Sequence, residues 1–168
     1  MRVLQIMLVE ATSPQDAIDE VRSRLINYET SNNLNVEWAE FFDDEPTTLA
    51  SSWAGFFGED LPDALCYATN PALAEEKIAL ALAGRKEALD EYLTKGKKYA
   101  FKSYDPYTAE FNSEAYSMEK AMKIVNDQWT FESGIYDLEN WTASLMYFKK
   151  MSLVDPERLY LVPVSFKF

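Results

Sequence analysis

The side chains with the most chemical reach in this chain are carboxylates, and the densest supply is Asp43-Asp44-Glu45 followed by Glu59, Asp60 and Asp63. Oxygen ligands of this kind suit Mg²⁺ or Ca²⁺. The spacing fits no calcium loop, because a glycine at the sixth position and a glutamate at the twelfth are both missing. Histidine is absent altogether. That removes the usual proton-transfer group at neutral pH, triads that need an imidazole, and histidine-based metal sites. The one cysteine, Cys66, cannot build a structural zinc site or an internal disulfide by itself. Neither glycine-rich phosphate signature occurs. Carboxylate, lysine and tyrosine chemistry remains, and it singles out no catalytic residue, no cofactor site and no metal site.

Two constellations have to be weighed against simpler explanations. Pro62-Asp63, followed twelve residues later by Glu75-Glu76-Lys77, resembles the PD-(D/E)xK nuclease signature. There the carboxylates hold Mg²⁺ and the lysine helps to position water. The resemblance covers only these residues, and in that family the E-x-K lies on a strand. Here the start at Asn70-Pro71 predicts that it falls in the first turn of a helix, where the dipole already favours acids. The second constellation is Lys95-Gly96-Lys97-Lys98-Tyr99-Ala100-Phe101-Lys102-Ser103-Tyr104. Lysines interleaved with aromatics can hold phosphates and stack bases. Lysines at the end of a helix also satisfy its C-terminal dipole, and they can pair with the acidic half of the same protein.

Charge is placed unevenly along the chain. Between Arg24 and Lys77 there is no lysine or arginine, yet eleven carboxylates fall there: Glu29, Glu37, Glu40, Asp43, Asp44, Glu45, Glu59, Asp60, Asp63, Glu75 and Glu76. Residues 1–94 hold eighteen acids and six bases, whereas residues 95–168 hold ten of each. The net charge of −12 is therefore carried by the first part of the chain. A surface of that sign repels nucleic acid and acidic membranes and attracts basic protein surfaces. Glu37, Glu40, Asp43, Asp44, Glu45, Glu59, Asp60 and Asp63 are the candidate partner-binding charges. Trp53 and Phe56, in the string Trp53-Ala54-Gly55-Phe56-Phe57-Gly58, are the candidate apolar anchor, since aromatics ringed by charge make good interface centres. The same string also suits a plug in the protein's own core. The partner this predicts is the basic surface of a nucleic-acid-binding protein.

The elements that must position these residues read as follows. Val3–Val9 is an apolar strand covered on both faces, hence central. Ser13-Pro14-Gln15-Asp16 opens a helix, with Ser13 as cap and Asp16 at the capping-box position. Ala17, Ile18, Val21, Leu25 and Tyr28 recur at helical spacing along its buried face. Asn32-Asn33 ends that helix, and Val36–Phe42 is the next strand, giving the opening of a split β-α-β arrangement. Asp43–Asp63, with Pro46, Gly55, Gly58 and Pro62, reads as loops and short pieces. Asn70-Pro71 starts the longest helix, expected over residues 71–94, with Leu73, Ile78, Leu82, Leu89 and Leu93 among its inner residues and Gly96 as terminator.

After Gly96, Tyr99–Tyr104 reads as a short strand. Ser113 is expected to cap a helix with Met118, Ala121, Met122, Val125 and Trp129 along one stripe. Ile135–Leu138 reads as extended, and Thr142 to about Ser152 as helical. The closing segment alternates, with Tyr160, Val162, Val164, Phe166 and Phe168 on one face. Pro163 cannot donate to a ladder, which places this strand at an edge or bulge. The expected fold class is α+β, one domain spanning residues 1–168, with a mixed or antiparallel sheet and helices mainly on one face.

Glu37-Trp38-Ala39-Glu40, Ser52-Trp53-Ala54-Gly55-Phe56-Phe57, Asn70-Pro71-Ala72-Leu73-Ala74 and the closing Leu161–Phe168 together resemble small acidic proteins encoded by phages and mobile elements. The resemblance implies a viral accessory protein and attaches no activity. By analogy, strongly acidic inhibitors occupy a nucleic-acid groove with carboxylates in place of phosphates. The leading expectation is thus a non-enzymatic, cytoplasmic interaction protein that inhibits a nucleic-acid-handling host protein. An oligomeric structural or assembly protein and a carboxylate-based, metal-dependent hydrolase are the alternatives. The single cysteine fits a reducing compartment, and no apolar run approaches a membrane span.

Overall fold

Nine residues, Arg2–Glu10, form the first strand (β1) of the computed structural model, which describes residues 2–32, 39–41, 62–100, 109–126, 134–137 and 154–167. Between Arg2 and Glu10 the run is apolar except for Gln5 and does not alternate, and both faces of β1 are covered: Ile6 and Leu8 enter one core cluster, Met7 and Val9 another. The chain then forms helix α1 (Pro14–Asn32), β2 (Ala39–Phe41), β3 (Leu65–Cys66) and helix α2 (Pro71–Ala100). Helix α3 (Ala109–Val125), β4 (Gly134–Asp137) and β5 (Leu159–Lys167) follow.

The sheet runs β2-β5-β1-β4, with β3 also paired to β5. β5 lies antiparallel to β1 along its whole length, from Arg2↔Lys167 to Glu10↔Leu159. β4 is parallel to β1. Because β1 and β2 are both antiparallel to β5, they are parallel to each other with β5 between them. That is the split β-α-β opening. The chain folds as α+β around one mixed sheet. Of the three helices among the described residues, two lie to one side, with α2 on the Ile6 and Leu8 face and α3 stacked on α2, while α1 covers the Met7 and Val9 face. Among the described residues, no helix is long and apolar enough to cross a membrane.

The closing strand departs from its expected place. β5 is internal, and both of its faces are buried: Leu159 and Leu161 face α2, while Tyr160, Val162 and Val164 face α1. Pro163 is fully buried opposite Ile6 and still fits, because the described pairings on the far side of β5 leave it out. β2 pairs from Val164 onward and β3 at Tyr160 and Leu161, so a missing N–H at position 163 falls between them.

The helix starts follow their caps. The Asp16 N–H donates to Ser13 Oγ at 3.1 Å, and Ala17 N–H closes the first helical bond to the Ser13 carbonyl at 3.0 Å. Ala17, Ile18 and Val21 are buried against the sheet, with Leu25 half-buried beside them. At α2 the Leu73 N–H donates to Asn70 Oδ1 at 3.1 Å, and Ala74 N–H to the Asn70 carbonyl at 3.0 Å. Ala74, Ile78 and Ala81 form the inner stripe, and Leu73 and Leu82 pack against the same cluster.

Gly96 does not end α2. The helix continues to Ala100, so Tyr99 and Ala100 are helical where a strand was expected. A Cβ at Gly96 would lie 3.1 Å from Met118 Cε and 3.2 Å from Met118 Cα. The glycine therefore serves the crossing of α2 by α3, and its helix-breaking tendency is overridden by that packing. At 1.5 Å per residue, the thirty residues of α2 span about 45 Å, whereas β1 spans about 30 Å. The helix is therefore longer than the sheet strand it covers.

α3 begins at Ala109, which places Ser113 inside the helix and not at its cap. Over residues 115–125, where burial is described, the buried residues are Ser117, Ala121 and Ile124, small at two of three positions, with Met118 half-buried. Met122 and Val125, expected inside, are 57% and 66% exposed. Arg85 of α2 donates from Nη2 to the Ile124 carbonyl at 3.1 Å, near the negative end of the α3 dipole. Of the remaining expectations, Val36–Phe42 appears as the shorter β2, and Ile135–Leu138 as β4. Trp129, most of Asp43–Asp63, Thr142–Ser152 and residues 101–104 lie outside the described residues.

Candidate interaction surface

Of the ten candidate partner-binding residues, two are described. Glu40 sits on β2 opposite Ser165, and exposed Asp63 lies two residues before β3. β2 and β3 pair with the same side of β5, so Glu40 and Asp63 come from segments along one edge of β5. Among the described residues, Asp63 has no ion-pair partner. Glu37, Asp43, Asp44, Glu45, Trp53, Phe56, Glu59 and Asp60 lie outside the described residues.

A second concentration of acid lies where β1 and β3 end and β5 begins. Three turns are joined there by backbone bonds. Ala11 N–H donates to the Arg158 carbonyl at 2.9 Å, Tyr67 N–H to the Leu159 carbonyl at 2.8 Å, and Ala68 N–H to the Pro156 carbonyl at 3.1 Å. The Cys66 thiol adds a contact to the Glu157 carbonyl at 3.5 Å. Cys66 is half-buried at this joint and packs against the α1-side core, close to the small apolar role its rarity suggests. Among the described residues, Glu10, Asp16, Asp155 and Glu157 surround one base, Arg158, at this rim, and Glu75 is tied to the same joint through Tyr67. Arg158 Nη2 approaches Glu10 Oε1 at 3.3 Å.

Local bonds fix several of these carboxylates. Asp16 Oδ2 accepts from the Thr12 N–H at 2.8 Å and the Thr12 hydroxyl at 2.7 Å. Those two donors, aided by the charge of Arg158, hold the Asp16 carboxyl below the usual carboxylate range. The Tyr67 hydroxyl donates to the Glu75 carboxylate, and that bond, with burial and the Glu75 charge, raises the phenol. Tyr160 is raised mainly by burial, then by Cys66 and Asp16. Asp155 Oδ1 accepts from the Glu157 N–H at 3.0 Å, shaping the turn into β5.

The nuclease-like string is accounted for locally. Glu75, Glu76 and Lys77 sit in the second turn of α2, one turn later than expected, and on a helix. Glu75 is engaged by Tyr67. Lys77 is buried, and its Nζ lies 2.9 Å from Glu76 Oε1. A buried ammonium paired to its chain neighbour is poorly placed to activate water on an open substrate. Among the described residues, no group of three or more acidic or cysteine side chains could hold a metal ion. In the lysine-rich string, Lys95 pairs with Glu91 one turn earlier on α2.

The rim acids were not nominated from the sequence as a site, because they are up to 147 positions apart (Glu10 to Glu157) and only the β1–β5 and β3–β5 pairings unite them. Their local signals were present all the same: Asp16 in a helix-opening string, Glu75 in the base-free span, and Asp155 beside a proline that ends a segment. No protein-family profile, no curated protein and no solved structure matches this chain.

Proposed function

We propose that this protein is a non-enzymatic, acidic interaction protein that docks on a basic surface of a nucleic-acid-handling protein and blocks it. The observation that carries the reading is the span from residue 25 to residue 76, which has eleven carboxylates and no compensating lysine or arginine. Edge residues Glu40 and Asp63 and the acidic rim at the start of β5 are consistent with it. Charge of one sign over a partner's opposite charge speeds encounter and selects partners more than it adds affinity. Trp53 and Phe56 supply the apolar centre in this reading. The likeness to small acidic phage-encoded proteins favours an accessory inhibitor, acting in the cytoplasm where a lone thiol stays reduced.

The test is charge reversal. Asp43, Asp44, Asp60 and Asp63 changed together to lysine should abolish capture of the partner while leaving the circular dichroism spectrum and melting temperature near those of the parent. Retained binding by a folded quadruple variant overturns the proposal.

One observation favours a second reading, assembly into an oligomer. Met122 and Val125 project from α3 with most of their surface exposed. Light scattering at micromolar concentration separates the two: a strict monomer removes the assembly reading, whereas a dimer broken by Met122→Glu supports it.

A further inference from the structure

We draw no further inference here: the strongest candidate, the apolar patch of Met122 and Val125 on the outer side of the helix stacked on α2, is an open helix face, and nothing in the described residues shows what covers it.

Discussion

Gly96→Ala adds one methyl group to a buried position on α2, and the structure sets the sign of the result. On a free helix surface, alanine for glycine gains about 1 kcal/mol. Here the methyl would lie 3.1 Å from Met118 Cε, 3.2 Å from its Cα and 3.3 Å from its Cβ. Ordinary carbon contacts sit at roughly 3.5–4.0 Å. The Cε can swing aside, but the Cα belongs to the α3 backbone, so the whole helix must retreat by a few tenths of an ångström. Overpacking of this kind costs about 1–3 kcal/mol. Subtracting the propensity gain leaves a protein less stable by about 1 kcal/mol, and Gly96→Leu should lose more. Urea unfolding followed by circular dichroism reads the change as a lower midpoint at constant slope. Met118→Ala removes the mobile part of the clash, so the double variant should recover at least about 0.5 kcal/mol relative to additivity. If Gly96→Ala raises stability by about 1 kcal/mol, the close crossing of α2 and α3 is wrong.

Other perturbations test separate parts of the account. Ser165 is fully buried, and among the described residues its hydroxyl has no hydrogen-bond partner, so Ser165→Ala should be neutral or stabilising by up to about 1 kcal/mol; a loss of stability in thermal unfolding would reveal a partner. Asn70→Ala removes the side-chain cap of α2 and should cost about 1 kcal/mol, read by the same melt. Asp16 has a folded pKa below its unfolded value, so its contribution is present above the unfolded value and is lost as pH falls through the folded one. Asp16→Asn should therefore flatten the acid side of the stability profile, lowering the melting temperature at pH 7 more than at pH 3; equal losses at both would contradict this.

The parts of the fold that were legible in sequence are those written in local chemistry. Ser13-Pro14 and Asn70-Pro71 mark their helices because capping is decided within four residues. The apolar run of β1, interrupted only by Gln5, announces burial on both faces. The errors arise where a tertiary partner reverses a local preference. Gly96 is a helix breaker by composition and a helix-crossing residue in fact, because Met118 needs the missing side chain. Pro163 looks like an edge signal, but β2 and β3 divide the far side of β5 and leave its missing donor without a demand. β3 is two residues long, too short for any periodic pattern. The Met118–Met122–Val125 stripe reads as core because methionine and valine are apolar. Met118 instead meets Gly96 of α2, Ser117, Ala121 and Ile124 are the buried neighbours, and Met122 and Val125 lie outward. The acidic span was legible as charge, while the rim joining Glu10, Asp16, Glu75, Asp155 and Glu157 depends on β-pairings across most of the chain.

The central claim, recognition through negative charge, is tested most directly by the salt dependence of capture. The immobilised protein is incubated with cell extract, and the retained partner is followed as sodium chloride is raised from about 0.05 M to 1 M, where the screening length falls to about 3 Å. The account predicts a basic, nucleic-acid-binding partner that is held at low salt, lost steeply as salt rises, and displaced by added DNA or RNA. Retention that ignores ionic strength, or a partner with an acidic surface, would contradict it.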